Sequence, residues 1–286
     1  MPTTDNIQPA PPPWKLKATT IYSLAFWTTK EQVDQATAAG LTYSALEAQS
    51  SFADSRDGKH LGGVSVIQII RYSETPVGPY DELVLIPGFH EYTVEEAGGR
   101  RATKKNARIT RIYVSQEHTC WNGRKNWNVP KHLASFDFRD NVDGSTTIKV
   151  FANDTAGDAT EASADSKPLF QGTFTSFPYI PAIPSSTSML KYVGLDATLV
   201  QPPLPDGKGS RGELPGTDRW CAVFPAMYSP RTSLGWIDVR QPGEVSSCTQ
   251  DNFWPGLKPW QLAVKMDDAE IDFGIGMHWD PPRSVS

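Results

Sequence analysis

The residue best placed to do covalent chemistry is Lys131, in the string Gly123-Arg124-Lys125-Asn126-Trp127-Asn128-Val129-Pro130-Lys131-His132-Leu133-Ala134. A lysine amine condenses with a ketone or aldehyde, and the resulting iminium draws electrons out of the bound substrate. To attack, the amine must be partly neutral, whereas a free lysine titrates near ~10.4. Burial in an apolar pocket and a nearby cation both favour the neutral form. Spacing alone reads Lys131 as a surface lysine at the start of a strand, its stem lying along Trp127. His132 adjoins it, and strand neighbours point to opposite faces, so the two share a pocket only if the backbone turns there. Tyr80 and Tyr113 are candidate proton donors or hydrogen-bond partners, Glu82 reads equally as a functional carboxylate or as a structural one paired with Arg71 or Arg124, and Arg219 beside Asp218 reads as an ion pair.

Other chemistries lack their motifs. No Gly-x-Gly-x-x-Gly follows a strand, no phosphate-binding loop occurs, and neither His-Glu-x-x-His nor Gly-x-Ser-x-Gly is found. The five histidines are scattered, so neither a metal nor a nucleotide cofactor is expected. The three cysteines, Cys120, Cys221 and Cys248, are odd in number and widely spaced, which argues for buried apolar roles and a reduced, cytoplasmic protein. The chain has 286 residues, 38% hydrophobic, and a formal net charge of −5, enough for one large core and too acidic for a typical nucleic-acid binder. No apolar run is long enough to span a membrane, and Met1 to Pro13 does not read as a secretory leader.

The elements that must position these residues are mostly strands. Val- and Ile-rich or alternating runs predict strands at Gly62–Tyr72, Tyr80–Pro87, Arg108–Gln116, Leu133–Phe138, Thr146–Phe151, Leu169–Thr175, Ser233–Val239, Gln261–Met266 and Glu270–Gly274. Thr29 with Gln32 reads as a capping box opening a helix to about Ala39, stopped by Gly40. Residues 1–13 read as a Pro-rich flexible tail, 14–278 as one domain and 279–286 as a C-terminal tail. Basic Glu95–Arg108 reads as a solvated loop, and Asn153–Lys167 as a loop whose glycosylation sequon is meaningless without a leader. Phe177 to Pro215, with seven prolines, is expected to be largely irregular, with a short helix at Thr187–Gly194, and so long an irregular stretch often covers a site. Trp121, Trp127, Trp220 and Trp254 read as core residues.

Three ordered blocks carry a resemblance. They are Ile67-Gln68-Ile69-Ile70-Arg71-Tyr72 followed by Pro76-Val77-Gly78-Pro79-Tyr80-Asp81-Glu82-Leu83, then Arg111-Ile112-Tyr113-Val114 leading to Gly123-Arg124 and Pro130-Lys131, then Leu214 to Trp220. Together they resemble the acetoacetate decarboxylase superfamily, especially its fungal decarboxylase-like members. The resemblance implies a mainly β (α+β) fold, a cone-like closed antiparallel β-sheet around an interior pocket with few short helices, and a homo-oligomer. Lys131 matches the family's Schiff-base lysine, Glu82 an active-site glutamate, and Arg124 the arginine of the Gly-Arg step. Three positions depart from the pattern. His132 stands where the decarboxylases have a second lysine, and Gln68 where they have a glutamate. Thr19 or Thr20 stands where they have an arginine, with Lys15 or Lys17 as alternatives. At neutral pH His132 supplies little positive charge, so desolvation must do most of the lowering of the Lys131 pKa.

The expectation is a lyase-type enzyme with Lys131 and Glu82 as catalytic groups. Arg124, Gln68, His132, Tyr80, Tyr113, Trp127 and Arg219 are the candidate substrate-binding residues. The partner is a carbonyl-containing small molecule, of a kind met in secondary metabolism, rather than a small β-keto acid. The reaction would be decarboxylation, retro-aldol cleavage or dehydration. The alternative is a non-covalent cyclase, isomerase or hydrophobic-metabolite-binding protein on the same fold.

Overall fold

The computed structural model describes residues 7–53, 59–96, 98–153, 168–240, 253, 254, 257 and 260–281. The chain opens with a long strand, β1 (Trp14–Thr28), whose Trp14, Leu16 and Ala18 are buried and whose Lys15 and Lys17 are exposed. Helix α1 (Lys30–Ala38) follows, started by the reciprocal Thr29–Gln32 capping box and buried through Val33 and Ala36. Gly40, at φ 72°, takes the left-handed turn that ends it. After the one-turn helix α2 (Ala45–Ala48) come β2 (His60–Glu74) and β3 (Tyr80–Ile86), joined by a tight connection in which Gly78 adopts φ 88°.

The hairpin β4 (Phe89–Glu95) and β5 (Arg101–Ala107) replaces the expected basic loop, with Arg101, Lys104 and Lys105 exposed. Next come β6 (Arg111–Val114), α3 (Glu117–Trp127), β7 (Lys131–Asp140), β8 (Thr146–Ala152) and β9 (Phe170–Ser176). The expected strand to Gln116 is cut short, because Gln116 caps α3 by accepting from the Thr119 backbone N–H. Strands β10 (Ile183–Ser186) and β11 (Leu199–Gln201) punctuate the proline-rich region, with 3₁₀ turns at Thr187–Val193, and β12 (Trp220–Val223) follows it. The last strands are β13 (Pro225–Asp238), β14 (Trp260–Phe273) and β15 (Met277–Trp279). β14 is one bent strand rather than two, its bend at Asp268 with φ 51°.

The order β1-β14-β13-β9-β8-β7-β6-β3-β2 closes on itself through β1–β2 pairing, giving a nine-stranded barrel. All its pairings are antiparallel except β6–β7, which α3 joins as a crossover. Every barrel strand sends residues to one core cluster, including Leu24, Ile67, Leu83, Tyr113, Ala134, Val150, Phe174, Ile237 and Ala263. That face is therefore the barrel interior. The opposite faces of β1, β2, β3, β6 and β14 form a second core with Trp127 of α3 and residues of β11 and β12. Trp14 and Trp127 meet there edge-to-face at 5.1 Å, a contact worth ~0.5–1.5 kcal/mol beyond its buried area.

Residues 8 and 10 do not form a free tail. Asn122 of α3 accepts from the Ala10 backbone N–H and donates to the Gln8 carbonyl. Trp279 belongs to β15 rather than to a tail. The 154–167 part of the Asn153–Lys167 loop, with the last two residues of its sequon, and Cys248 lie outside the described residues.

Candidate active site

Register places Lys131 in one row across the outer barrel face. The pairs Lys131–Ile112, Ile112–Val84, Val84–Gln68, Gln68–Ser23 and Ser23–Val264 run strand to strand. Directly paired residues share a face. All six line a cavity of about 400 Å³ enclosed by this face, Trp127 of α3, Phe89, Ala107 and the 185–199 segment. The cavity is mostly apolar, and the charged residues among its described lining are Glu82, Lys131 and Asp196.

Lys131 opens β7 after a left-handed cap at Asn128 (φ 55°) and a tight turn at Pro130, in which the Lys131 N–H donates to the Val129 carbonyl. Its side chain runs back along α3. A Cβ on Gly123 would stand 2.7 Å from Lys131 Cδ, so the glycine of the Gly-Arg step makes room for the lysine stem. The Nζ donates to Glu82 Oε2 at 2.7 Å and to Thr119 Oγ1 at 3.0 Å, and lies 5.0 Å from the Tyr80 ring centroid. The Tyr72 hydroxyl donates to Glu82 Oε1 at 3.3 Å. Glu82 is thus the hub of a buried lysine–carboxylate–tyrosine set.

The electrostatics correct one expectation. Burial pushes the Lys131 pKa down, but the adjacent Glu82 carboxylate, with Tyr80, more than reverses this, and the net direction is up. The resting group is an ammonium. Burial pushes Tyr80 up to about 12 against the pull of Lys131, and burial with the Glu82 charge pushes Tyr72 well up. Both phenols are therefore neutral donors at physiological pH.

Glu82, Gln68, Tyr80 and Trp127 line the cavity with Lys131. Gln68 donates to Ser23 Oγ at 3.3 Å, and the Trp127 indole donates to the Gly274 carbonyl. Four other candidates do not line it. Arg124 is wholly buried on the far side of the Lys131 backbone, donating to Glu47 Oε1 at 2.8 Å and to the Pro205 and Pro215 carbonyls. His132 points away from Lys131, as strand alternation requires, and its Nε2 lies 2.6 Å from Glu47 Oε2. Burial raises the Glu47 pKa, but His132 and Arg124 outweigh it and hold the carboxyl below its usual range. Tyr113 faces the barrel interior, where its hydroxyl accepts from Arg111. Arg219 pairs with Asp280 and donates to the His278 carbonyl. These four brace the scaffold.

No described lining residue is an arginine. Lys15, Lys17 and Thr19 are exposed, and Thr19 and Thr20 line a separate polar hollow with Arg71 and Asp140. The sequence reading missed Tyr72, although it alternates with Gln68 and Ile70 on β2. It also missed Thr119, which sits one helical turn before Gly123.

The fold defines a structural class, since solved acetoacetate decarboxylases share it. The enzyme from Legionella pneumophila aligns over 98% of this chain and 93% of its own, with a TM-score of 0.59 and 11% identity. A second acetoacetate decarboxylase structure aligns over 99% and 96%, with a TM-score of 0.58 and 11% identity. At that identity the shared property is the fold. Among curated proteins, Neoxanthin-deficient 1 of rice (Oryza sativa subsp. japonica) is 29% identical over 125 residues, 44% of this chain. The match covers 34% of the rice protein, so the chain spans about a third of that relative's length. No protein-family model matches the chain.

Proposed function

We propose that this chain is a decarboxylase-like member of the acetoacetate decarboxylase superfamily, of the kind its sequence blocks resemble in fungi, acting on a neutral carbonyl compound through a Lys131 Schiff base. The supporting observation is the buried Lys131–Glu82 contact of 2.7 Å inside an apolar cavity. Glu82 first takes a proton from the ammonium. The free amine adds to the substrate carbonyl, and water leaves with the proton that Glu82 returns. In a β-hydroxy ketone, Glu82 then removes the hydroxyl proton and the C–C bond breaks. An aldehyde leaves and the electron pair moves to the iminium nitrogen. Reprotonation of the enamine carbon and hydrolysis release the ketone and restore Lys131. Retro-aldol cleavage or dehydration suits this lining better than decarboxylation, because no described lining residue is an arginine that would clamp a carboxylate. A homo-oligomer in a reducing cytoplasm completes the reading, supported on the second count by two buried free thiols, Cys120 and Cys221.

The raised Lys131 pKa favours a second reading. A fixed ammonium donates a hydrogen bond to a carbonyl without attacking it, and Glu82 then serves as the base of an isomerase or cyclase. Borohydride reduction separates the two. A mass adduct on Lys131 with a ketone supports the first, and saturable binding without an adduct supports the second. The rice relative's name refers to neoxanthin, so that compound belongs in the binding panel.

A further inference from the structure

We infer that the bare patch around Leu262, on the outer barrel face, is where two copies of this chain meet, each offering the same surface. This rests on the homo-oligomeric reading above and not on chemistry at Lys131. Ser23, Ala25 and Trp27 lie on one face of β1, and Ser23 is paired with Val264 on β14. Leu262 shares that face of β14 and is paired with Trp236 on β13, while Val264 is paired with Leu234. These side chains are uncovered. Trp27 is 71% exposed, Leu262 51%, Trp236 44% and Leu234 37%. The 185–199 segment crosses the face from the opposite end of β13, where Thr187 Oγ1 accepts from the Met227 backbone N–H at 2.9 Å, and leaves them bare. An apolar margin extends the patch. Phe177 packs edge-on against Trp236 with ring centres 5.6 Å apart, and Ile183 is paired with Thr232, two residues from Leu234. Between them Tyr179 and Ile180 are exposed, as is Ile183.

Size and charge say what covers this face. At ~150–250 Å² for a large side chain, weighted by exposure, these residues present roughly 800 Å². The largest apolar patch of a monomer is ~300–600 Å², and a stable dimer needs ~800 Å² from each partner. The chain is 21% charged, yet Phe177 to Leu190 contains no Asp, Glu, Lys or Arg, and the strand positions named above carry none. A face without charge matches a second copy of itself, although two chains of net charge −5 repel elsewhere. A lipid surface is the other apolar partner and fits less well. No described cation stands on the face to meet headgroups, and Lys30 and Arg240, which follow β1 and β13, are paired with Asp34 and Asp238. Val64 and Val264 line the cavity and are paired with Trp27 and Leu234, so the second copy stands beside the cavity wall.

The test is sedimentation equilibrium of the full chain, native and with Trp236→Ser, Leu262→Lys, Leu262→Glu or Met277→Ser, each checked for an unchanged thermal midpoint. The native chain is expected to associate. Trp236→Ser should raise its dissociation constant roughly thirtyfold, the effect of truncating a central aromatic. Met277→Ser, at a 71% exposed apolar site beyond the other end of β14, should change nothing. Each Leu262 variant should associate weakly, and their equal mixture more tightly than either alone, because opposite charges then meet across the contact. An assembly indifferent to Trp236 and Leu262, or a mixture no tighter than its components, would overturn this face and leave the homo-oligomer standing. A native chain that stays monomeric would overturn both. Flotation of that monomer with phosphatidylcholine vesicles, lost in Trp236→Ser, would assign the face to lipid instead.

Discussion

Replacing Glu82 by Gln should change how stability responds to pH in a calculable way. In the native protein the Lys131 pKa is raised, so the amine stays protonated in both folded and unfolded chains below ~10.4 and contributes no slope there. Its stabilising effect is present below that value and is lost as pH rises through the folded pKa. Glu82→Gln deletes the carboxylate 2.7 Å from Nζ, the main group opposing burial, so the folded pKa falls below the ordinary value. A buried cation stripped of its partner costs ~3–5 kcal/mol if it stays charged. It escapes by losing its proton, and at ~1.36 kcal/mol per pH unit that limits the loss to about 4.6 kcal/mol at pH 7 and about 1.9 kcal/mol at pH 9. Urea unfolding of both proteins across this range should show the difference in stability shrinking by up to ~1.4 kcal/mol per unit. Comparing the two proteins cancels the groups they share. A difference that stays constant from roughly pH 7 to 9 would refute the claim that Glu82 is the main group keeping a buried Lys131 charged.

The supporting structure makes further predictions. Gly123→Ala places a methyl against Lys131 Cδ while improving helix propensity, so stability should move by no more than roughly 1 kcal/mol. Adduct formation should fall roughly a hundredfold, because the amine is pushed off Glu82 and Thr119, and unchanged trapping rates would count against this packing. Glu47→Ala should cost ~3–5 kcal/mol at neutral pH by removing the carboxylate that neutralises buried Arg124 and contacts His132. The native Glu47 pKa is lowered, so its contribution is present above ~4.3 and lost as pH falls through the folded value. The gap between native and variant unfolding midpoints should therefore narrow on acidification, and a gap independent of pH would contradict the buried cluster.

The strands and the Lys131–Glu82 pair were legible because their signals are local. Alternation and Val/Ile runs mark β2, β3, β8 and β9, and the capping box marks α1. Lys131 and Glu82 stand inside ordered blocks, with Tyr80 two residues before Glu82 on the same face. Helix α3 was hidden because its buried positions include Thr119, Asn122, Gly123 and Arg124, which give no apolar period. With α3 unseen, Thr119 and the purpose of Gly123 were invisible. Arg124 and His132 were misplaced because their partner, Glu47, lies 77 and 85 residues away in sequence. The charge state of Lys131 turned on the same kind of fact, since a carboxylate 49 residues upstream sits against the amine. Desolvation suggested a neutral amine, whereas the Glu82 carboxylate favours a charged one.

The central claim is that Lys131 forms a covalent bond with a carbonyl ligand. Intact-mass spectrometry after borohydride reduction with a panel of ketones and β-hydroxy ketones, on the native protein and Lys131→Ala, tests it most directly. A ligand-sized mass increase on the native protein alone, mapped by digestion to Lys131, is the expected result. Equal labelling of both proteins, or none with ligands shown to bind, would contradict it and leave the ammonium as a hydrogen-bond donor.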